Sequence, residues 1–148
     1  MHGPHQRFDA YGNVAPIFAD RILKGVPITI FGDGEQTRDF VSLADVAAAN
    51  LAAAVTPGVS GVFNIGSGSR ITINELARVM QEVSGVHVGV EHGPERPGDV
   101  HDSLADISAA HAAFGFAPYV QIEGRGLSEY MAWVAADPLT RARLEEEK

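Results

Sequence analysis

Glycine closes one apolar run after another in this sequence, which restricts the chain to short strands and helices joined by tight turns. Residues Val14–Lys24 place Ile17, Ile22 and Leu23 near helical spacing and stop at Gly25, with Pro27 beyond, so a first helix is expected there. Ile28–Phe31 is β-branched and aromatic and ends at Gly32-Asp33-Gly34, the pattern of a strand entering a tight turn; a second extended piece is expected over 38–42. Asp45 stands where an N-cap would accept backbone N–H groups, ahead of an Ala-rich helix over 46–55 that Thr56-Pro57-Gly58 stops. Residues 62–65 read as a short buried strand closed by Gly66-Ser67-Gly68-Ser69. Asn74 is the expected cap of a helix carrying Leu76, Ala77, Val79, Met80 and Val83 on one face and ending at Gly85.

Val86, Val88 and Val90 alternate with His87 and Gly89, a half-buried strand pattern, and 91–100 reads as a loop. Asp106 opens a short helix over 107–114 that ends at Gly115. A last helix over 122–136, with Leu127, Tyr130, Met131 and Val134 on one side and Trp133 expected in the core, stops before Asp137-Pro138. The fold class expected from this alternation is α/β, a small mixed domain with short strands and about five helices. Residues 1–137 form the domain and 138–148 a polar, solvated helical stub.

At 148 residues, 45% hydrophobic and 20% charged, the chain has the size and composition of one globular domain. A net charge of -8 opposes the clustered Lys and Arg that a polyanion requires, so nucleic acid is not an expected partner. There is no cysteine, which excludes disulfides, thiolate metal sites and a Cys nucleophile. The first residues lack a basic segment followed by an apolar one, and no apolar run approaches the ~20 residues of a membrane span, so a cytoplasmic protein without a membrane partner is expected. His2, His5, His87, His92, His101 and His111 show no metal-ligand spacing on one helix, and no metal site is expected.

Three stretches concentrate polar side chains where strands end: Gly32 to Phe40, Phe63 to Gly68, and Glu95 to Asp99. Arg38 and Arg96 could converge on one anion, since a guanidinium offers phosphate oxygens two parallel hydrogen bonds. Spacing alone leaves equally open that each arginine staples its own loop by pairing with its neighbouring acid, Asp39 or Asp99. His101 beside Asp102 has the makings of an acid/base pair, or is simply an exposed loop neighbour. Ser67 and Ser69 have no identifiable base, and Asp9 and Tyr11 lie early enough to reach a cleft.

Gly3-Pro4-His5-Gln6, Ile30-Phe31-Gly32-Asp33-Gly34, Thr37-Arg38-Asp39-Phe40-Val41, Asn64-Ile65-Gly66-Ser67-Gly68 and Arg96-Pro97-Gly98-Asp99 follow one another in a familiar order. From His2 to about Ala136 the sequence resembles the C-terminal half of the extended short-chain dehydrogenase/reductase family. These are the NAD-dependent sugar-nucleotide epimerases and dehydratases typified by UDP-glucose 4-epimerase. The resemblance implies a nucleotide-sugar site: Asn13 and Val14 near the diphosphate, Phe31 against the base, Arg38 and Arg96 on the diphosphate, Asp99 on the ribose hydroxyls, and Phe40 lining the pocket.

Two family features have no counterpart in the sequence. There is no strand followed by a Gly-rich turn for the NAD pyrophosphate. There is also no Tyr-x-x-x-Lys pair, because Ala15, Glu123 and Val134 stand four residues after Tyr11, Tyr119 and Tyr130. The family uses NAD, but this chain alone is expected to bind no cofactor. Its expected function is that of a half-enzyme or binding module for a UDP- or dTDP-type nucleotide sugar. One alternative is a cofactor-independent isomerase, cyclase or lyase using a new pocket on the vacated Rossmann side, with His5, Asp9, Tyr11 or His101 as acid or base; an inert fragment is another. The apolar faces of 46–55 and 62–65 would need a cover, so a homo-oligomer, a Rossmann-bearing partner chain or a rearranged fold is expected.

Overall fold

A computed structural model describes residues 1–4, 6 and 13–138. Five α-helices and four short strands follow one another: α1 (Val14–Lys24), β1 (Ile28–Phe31), β2 (Thr37–Arg38), α2 (Leu43–Val55), β3 (Ile71–Thr72), α3 (Ile73–Ser84), β4 (Val90–Gly93), α4 (Ser108–Phe114) and α5 (Leu127–Ala136). The small α/β domain with five helices is the architecture expected. β1 pairs in parallel with β4, Ile28 opposite Val90 and Phe31 opposite Gly93. β2 pairs antiparallel with β3, Arg38 opposite Ile71.

One layer of helices covers the parallel pair. Phe18 and Ile22 of α1, Leu76 and Met80 of α3, and Leu127, Tyr130 and Val134 of α5 bury themselves with Ile28 and Ile30 of β1 in the main core. The apolar stripe foreseen on α3 supplies Leu76, Ala77, Val79 and Met80 to it, while Val83 stays largely outside. A second cluster gathers Ala49 of α2, Ala110 of α4 and Phe116, with the rings of Phe63 and Phe114 edge to face at 5.2 Å. Trp133 packs against the main core while remaining only partly buried.

Helix α1 has the bounds expected, and Gly25 ends it in the left-handed conformation. The other caps lie elsewhere. Ser42, not Asp45, caps α2: its Oγ accepts Asp45 N–H at 3.0 Å and donates to Asp45 Oδ2 at 3.0 Å, so the helix starts three residues earlier than 46. The buried Asp45 carboxylate also accepts the N–H groups of Tyr119 and Val120, pinning that segment to the start of α2. Thr72 caps α3 in place of Asn74, accepting Glu75 N–H at 3.0 Å. Asn74 instead donates to Asp33 O and Glu35 Oε1, locking the turn after β1. Gly34 in that turn has φ +79°, and a Cβ there would lie 2.1 Å from Asn74 Oδ1, so two constraints require glycine at once.

The strands shift more than the helices. Of the extended piece expected over 38–42 only Arg38 stands in a strand, and the valine alternation of 86–90 gives way to a strand at Val90–Gly93 that runs into the expected loop. Residues 62–65 form no strand: no described segment offers them a hydrogen-bonding edge, and Val62 is 99% exposed. Asp106 precedes α4 by two residues and accepts Ser108 N–H at 2.9 Å. The helix expected over 122–136 is broken by Gly124 (φ -101°, ψ -114°) into a wide turn, Ile122–Gly126, followed by α5. The expected stub over 138–148 lies outside the described residues beyond Pro138.

His2 is buried at the end of this layer, with its N–H on Val41 O and its carbonyl accepting Leu43 N–H. Its ring lies against Gly126, where an added Cβ would come within 2.7 Å of Cε1. Burial, reinforced by the nearby amino terminus and only partly offset by Asp45, lowers its pKa from 6.5 to about 4. An unfolded histidine therefore takes up a proton that the folded one refuses, so the stabilisation is full above pH 6.5 and is lost as pH falls through about 4. Urea melts at pH 7 and pH 5 should show the chain losing about 2 kcal/mol from this source, and His2→Phe should remove that part of the decline.

Candidate functional site

The turn Arg96-Pro97-Gly98-Asp99 brings its two charged ends together. Asp99 N–H closes on Arg96 O at 3.1 Å, and Gly98 takes φ +81° after proline, the arrangement of a type II turn. Asp99 thus meets the end of β2, while Arg96 lies over Phe31 at the end of β1. Arg38, the last residue of β2, reaches across to donate to Asp99 Oδ1 at 2.5 Å and to the carbonyls of Val100 and Thr37. Three acceptors hold this guanidinium in one orientation. The reading in which Arg38 pairs with Asp39 and Arg96 with Asp99 is therefore set aside, because each acid has another partner.

Asp39 serves the neighbouring loop. Its Oδ1 accepts Ser67 N–H at 2.7 Å and Ser67 Oγ at 2.6 Å, and its Oδ2 accepts Ala105 N–H at 3.2 Å. A Cβ on Gly66 would lie 2.5 Å from both Asp39 Oδ2 and the Ala105 methyl, so the Asn64-Ile65-Gly66-Ser67-Gly68 motif is shaped to receive this carboxylate. Ser67 is thereby a structural hydroxyl.

Arg96 makes no ion pair among the described residues. Its guanidinium carbon sits 3.8 Å from the centre of the Phe31 ring, a cation–π contact. Phe31 has room for this position because its partner across the ladder is Gly93, whose missing side chain leaves the ring free to lie over β4. In a chain of net charge -8, a cation on an aromatic ring that makes no ion pair among the described residues is set up to meet an outside anion.

A cavity of about 360 Å³ opens between these groups. Asn13 and Val14 at the start of α1, Phe31 at the end of β1, Arg38 and Phe40 on and after β2, and Arg96 and Asp99 on the turn all line it. Four separate stretches of chain thus place all seven expected residues around one space. Phe40 is also buried in the main core, so it joins the cavity wall to the helical layer. Gln36 lines the same space and donates to Phe31 O at 2.8 Å, fixing the strand end that presents the ring. It was legible only as one polar residue within the Gly32 to Phe40 stretch.

The remaining candidates divide. His101 Nδ1 and Asp102 Oδ2 are 3.3 Å apart, both side chains largely exposed, and His101 lines a recess adjoining the cavity. His5, Asp9 and Tyr11 lie outside the described residues. No group of three or more His, Asp or Glu placed to hold a metal occurs among the described residues. No described helix is long and apolar enough to cross a membrane.

A model of the NAD dependent epimerase/dehydratase family matches residues 1–66. The dTDP-L-rhamnose 4-epimerase of Burkholderia thailandensis is 33% identical over 139 residues, which are 93% of this chain and 38% of that protein. The crystal structure of a UDP-glucose 4-epimerase with UDP-glucose from Thermotoga maritima superposes with a TM-score of 0.84 at 37% identity, over 90% of this chain and 43% of that one. A UDP-N-acetylglucosamine 4-epimerase from Methanobrevibacter ruminantium, in complex with UDP-N-acetylmuramic acid, superposes at 0.85 with 36% identity, over 91% and 43%. The chain spans about 40% of the length of the relatives it matches.

The division of labour between Asp39 and Arg38 is open to measurement. Asp39→Ala strands two N–H donors and a hydroxyl in a partly buried loop and should cost about 2–4 kcal/mol in urea melts. Arg38→Ala, at the cavity wall, should cost about 1 kcal/mol or less, because its partners are open to water.

Proposed function

We propose that this chain, which matches part of the NAD-dependent epimerase/dehydratase family, binds in its cavity the nucleoside diphosphate of a UDP- or dTDP-type nucleotide sugar. The single observation that carries this reading is the convergence of Asn13, Phe31, Arg38, Arg96 and Asp99 on one space from four stretches of sequence. A diphosphate presents several oxygens with spread negative charge, which suits two guanidinium groups better than one. Arg38 is the fixed half of that pair and Arg96 the adaptable half. Asp99 spends one oxygen on Arg38, and its second is the acceptor for a ribose hydroxyl. Asn13 adds a neutral amide at the opposite wall, where it donates to Met1 O at 3.4 Å.

The described residues do not fit NAD. No described strand passes through a glycine-rich turn directly into a helix: β1 turns into β2, β3 runs straight into α3, and β4 leads into the long loop before α4. We assign no residue to the dinucleotide and route no hydride step through this chain. On this reading it supplies substrate recognition, and redox chemistry belongs to sequence it does not contain, in the same polypeptide or in a partner. The acid/base alternative keeps His101 alone among the described candidates, exposed and facing an acidic recess, and no observation favours it.

Titration calorimetry with UDP-glucose and a dTDP-sugar is the direct test. Saturable binding that weakens with added salt is expected, with Arg38→Ala and Arg96→Ala each lowering affinity about 10–100-fold, the range of one lost charge-assisted hydrogen bond. Absence of binding to either ligand, in the chain alone and together with the remainder of the enzyme, would refute the proposal.

A further inference from the structure

We propose that Thr37 and Asp102 are positioning residues: their hydrogen bond staples the Arg96–Asp99 turn to β2 and so sets the spacing of the two guanidinium groups. This rests on the reading of the cavity as a diphosphate site. The turn belongs to a stretch between β4 and α4 with no ladder or helix of its own, so its location depends on side contacts. Two consecutive residues of β2 hold four consecutive residues of that stretch. Arg38 takes Asp99 and Val100, while Thr37 takes His101 and Asp102.

The two grips differ in what a ligand does to them. An anion entering the cavity competes for the Arg38 donors, so the grip of Arg38 on Asp99 and Val100 is the one that binding disturbs. Thr37 donates its backbone N–H to His101 O at 2.8 Å and its hydroxyl to Asp102 Oδ1 at 2.9 Å, and neither bond uses a group that faces the ligand. Arg70, which leads into β3, adds an ion pair to the same Asp102 oxygen at 3.2 Å. Asp102 therefore ties the turn to both strands of the antiparallel pair, where Thr37 stands opposite Thr72.

The charged or titratable groups facing Asp102 are Arg70 and His101. Its carboxyl is held below the usual range, first by the Thr37 hydroxyl and then by His101, which keeps the acceptor charged through the neutral range. The same geometry accounts for the His101-Asp102 neighbours seen in the sequence: one carboxylate oxygen is committed to β2, and only the other meets the imidazole.

Three variants of the full chain test this: Thr37→Val, which removes the hydroxyl but keeps the branch and the N–H, Thr37→Ser, which keeps the hydroxyl, and Asp102→Ala. Amide hydrogen exchange should rise about 10-fold over residues 96–102 in Thr37→Val and Asp102→Ala, with the amides of α3 unchanged as the control for folding. UDP affinity by NMR titration should fall about 5–10-fold in the same two variants while uridine affinity holds, and Thr37→Ser should restore both readouts. Unchanged exchange over 96–102 overturns the staple. Faster exchange with unchanged UDP affinity, or equal losses for UDP and uridine, overturns the positioning role. If the unaltered chain, alone and together with the remainder of the enzyme, binds uridine but not UDP, or binds neither, the diphosphate reading itself fails and the positioning role falls with it. In that case exchange still decides whether Thr37 and Asp102 hold the turn.

Discussion

Arg38 joins parts of the chain 61 residues apart, and both ends of that contact line the cavity. Neither partner stands on a long element. Arg38 ends a strand of two residues, and Asp99 ends a turn without a ladder. Two short pieces of backbone are made definite by a guanidinium that has three acceptors, two of them carbonyls and one a carboxylate. Because the pair is only partly withdrawn from water, its net contribution to folding is small. What it supplies is direction, by holding one cation where a ligand can reach it and holding the Arg96 turn beside it.

The support for this arrangement is the helical layer. α1, α3 and α5 bury Phe18, Ile22, Leu76, Met80, Leu127 and Tyr130 against β1, and the last residue of β1 is the ring on which Arg96 rests. The core thus reaches the site through one strand end, with Phe40 as a second tie. Elsewhere apolar side chains remain in water. Leu51 and Val55 on α2 are about two-thirds exposed, and Val62 is almost wholly so. The low amphipathicity of an Ala-rich helix is the same fact seen in the sequence: α2 buries only Asp45 and Ala49 on one narrow face.

How much of this was legible depended on whether the determining contact was local. Helix α1 could be bounded because its stop, Gly25, acts on the adjacent turn, and α3 could be recognised by its stripe. Caps were harder, since Ser42 and Asp45, and likewise Thr72 and Asn74, are plausible N-cap types within three residues of each other, and the losers have tertiary duties that spacing does not display. Asp45 turned out to serve Tyr119 and Val120, and Asn74 the turn after β1. Residues 62–65 have strand composition without a strand, because a ladder needs a second edge that no local pattern supplies. At the site, residue types pointed to the cluster, but the pairing did not follow from adjacency. Asp39 lies beside Arg38 in the sequence and yet serves Ser67, while Asp99 is distant in the sequence and serves Arg38.

That last exchange of partners bears on how the cavity meets an anion. Had Arg96 paired with Asp99, the turn would have been electrically closed, and a ligand would have had to break a salt bridge before gaining a contact. With Asp99 on Arg38 and Arg96 on the Phe31 ring, one cation is fixed by polar groups and the other only by a ring face. An exposed cation–π contact is weak, about 0.5–1 kcal/mol, so moving Arg96 from the ring to a phosphate oxygen gives up little. The firm guanidinium sets where the charge must lie, and the loosely held one adjusts to it.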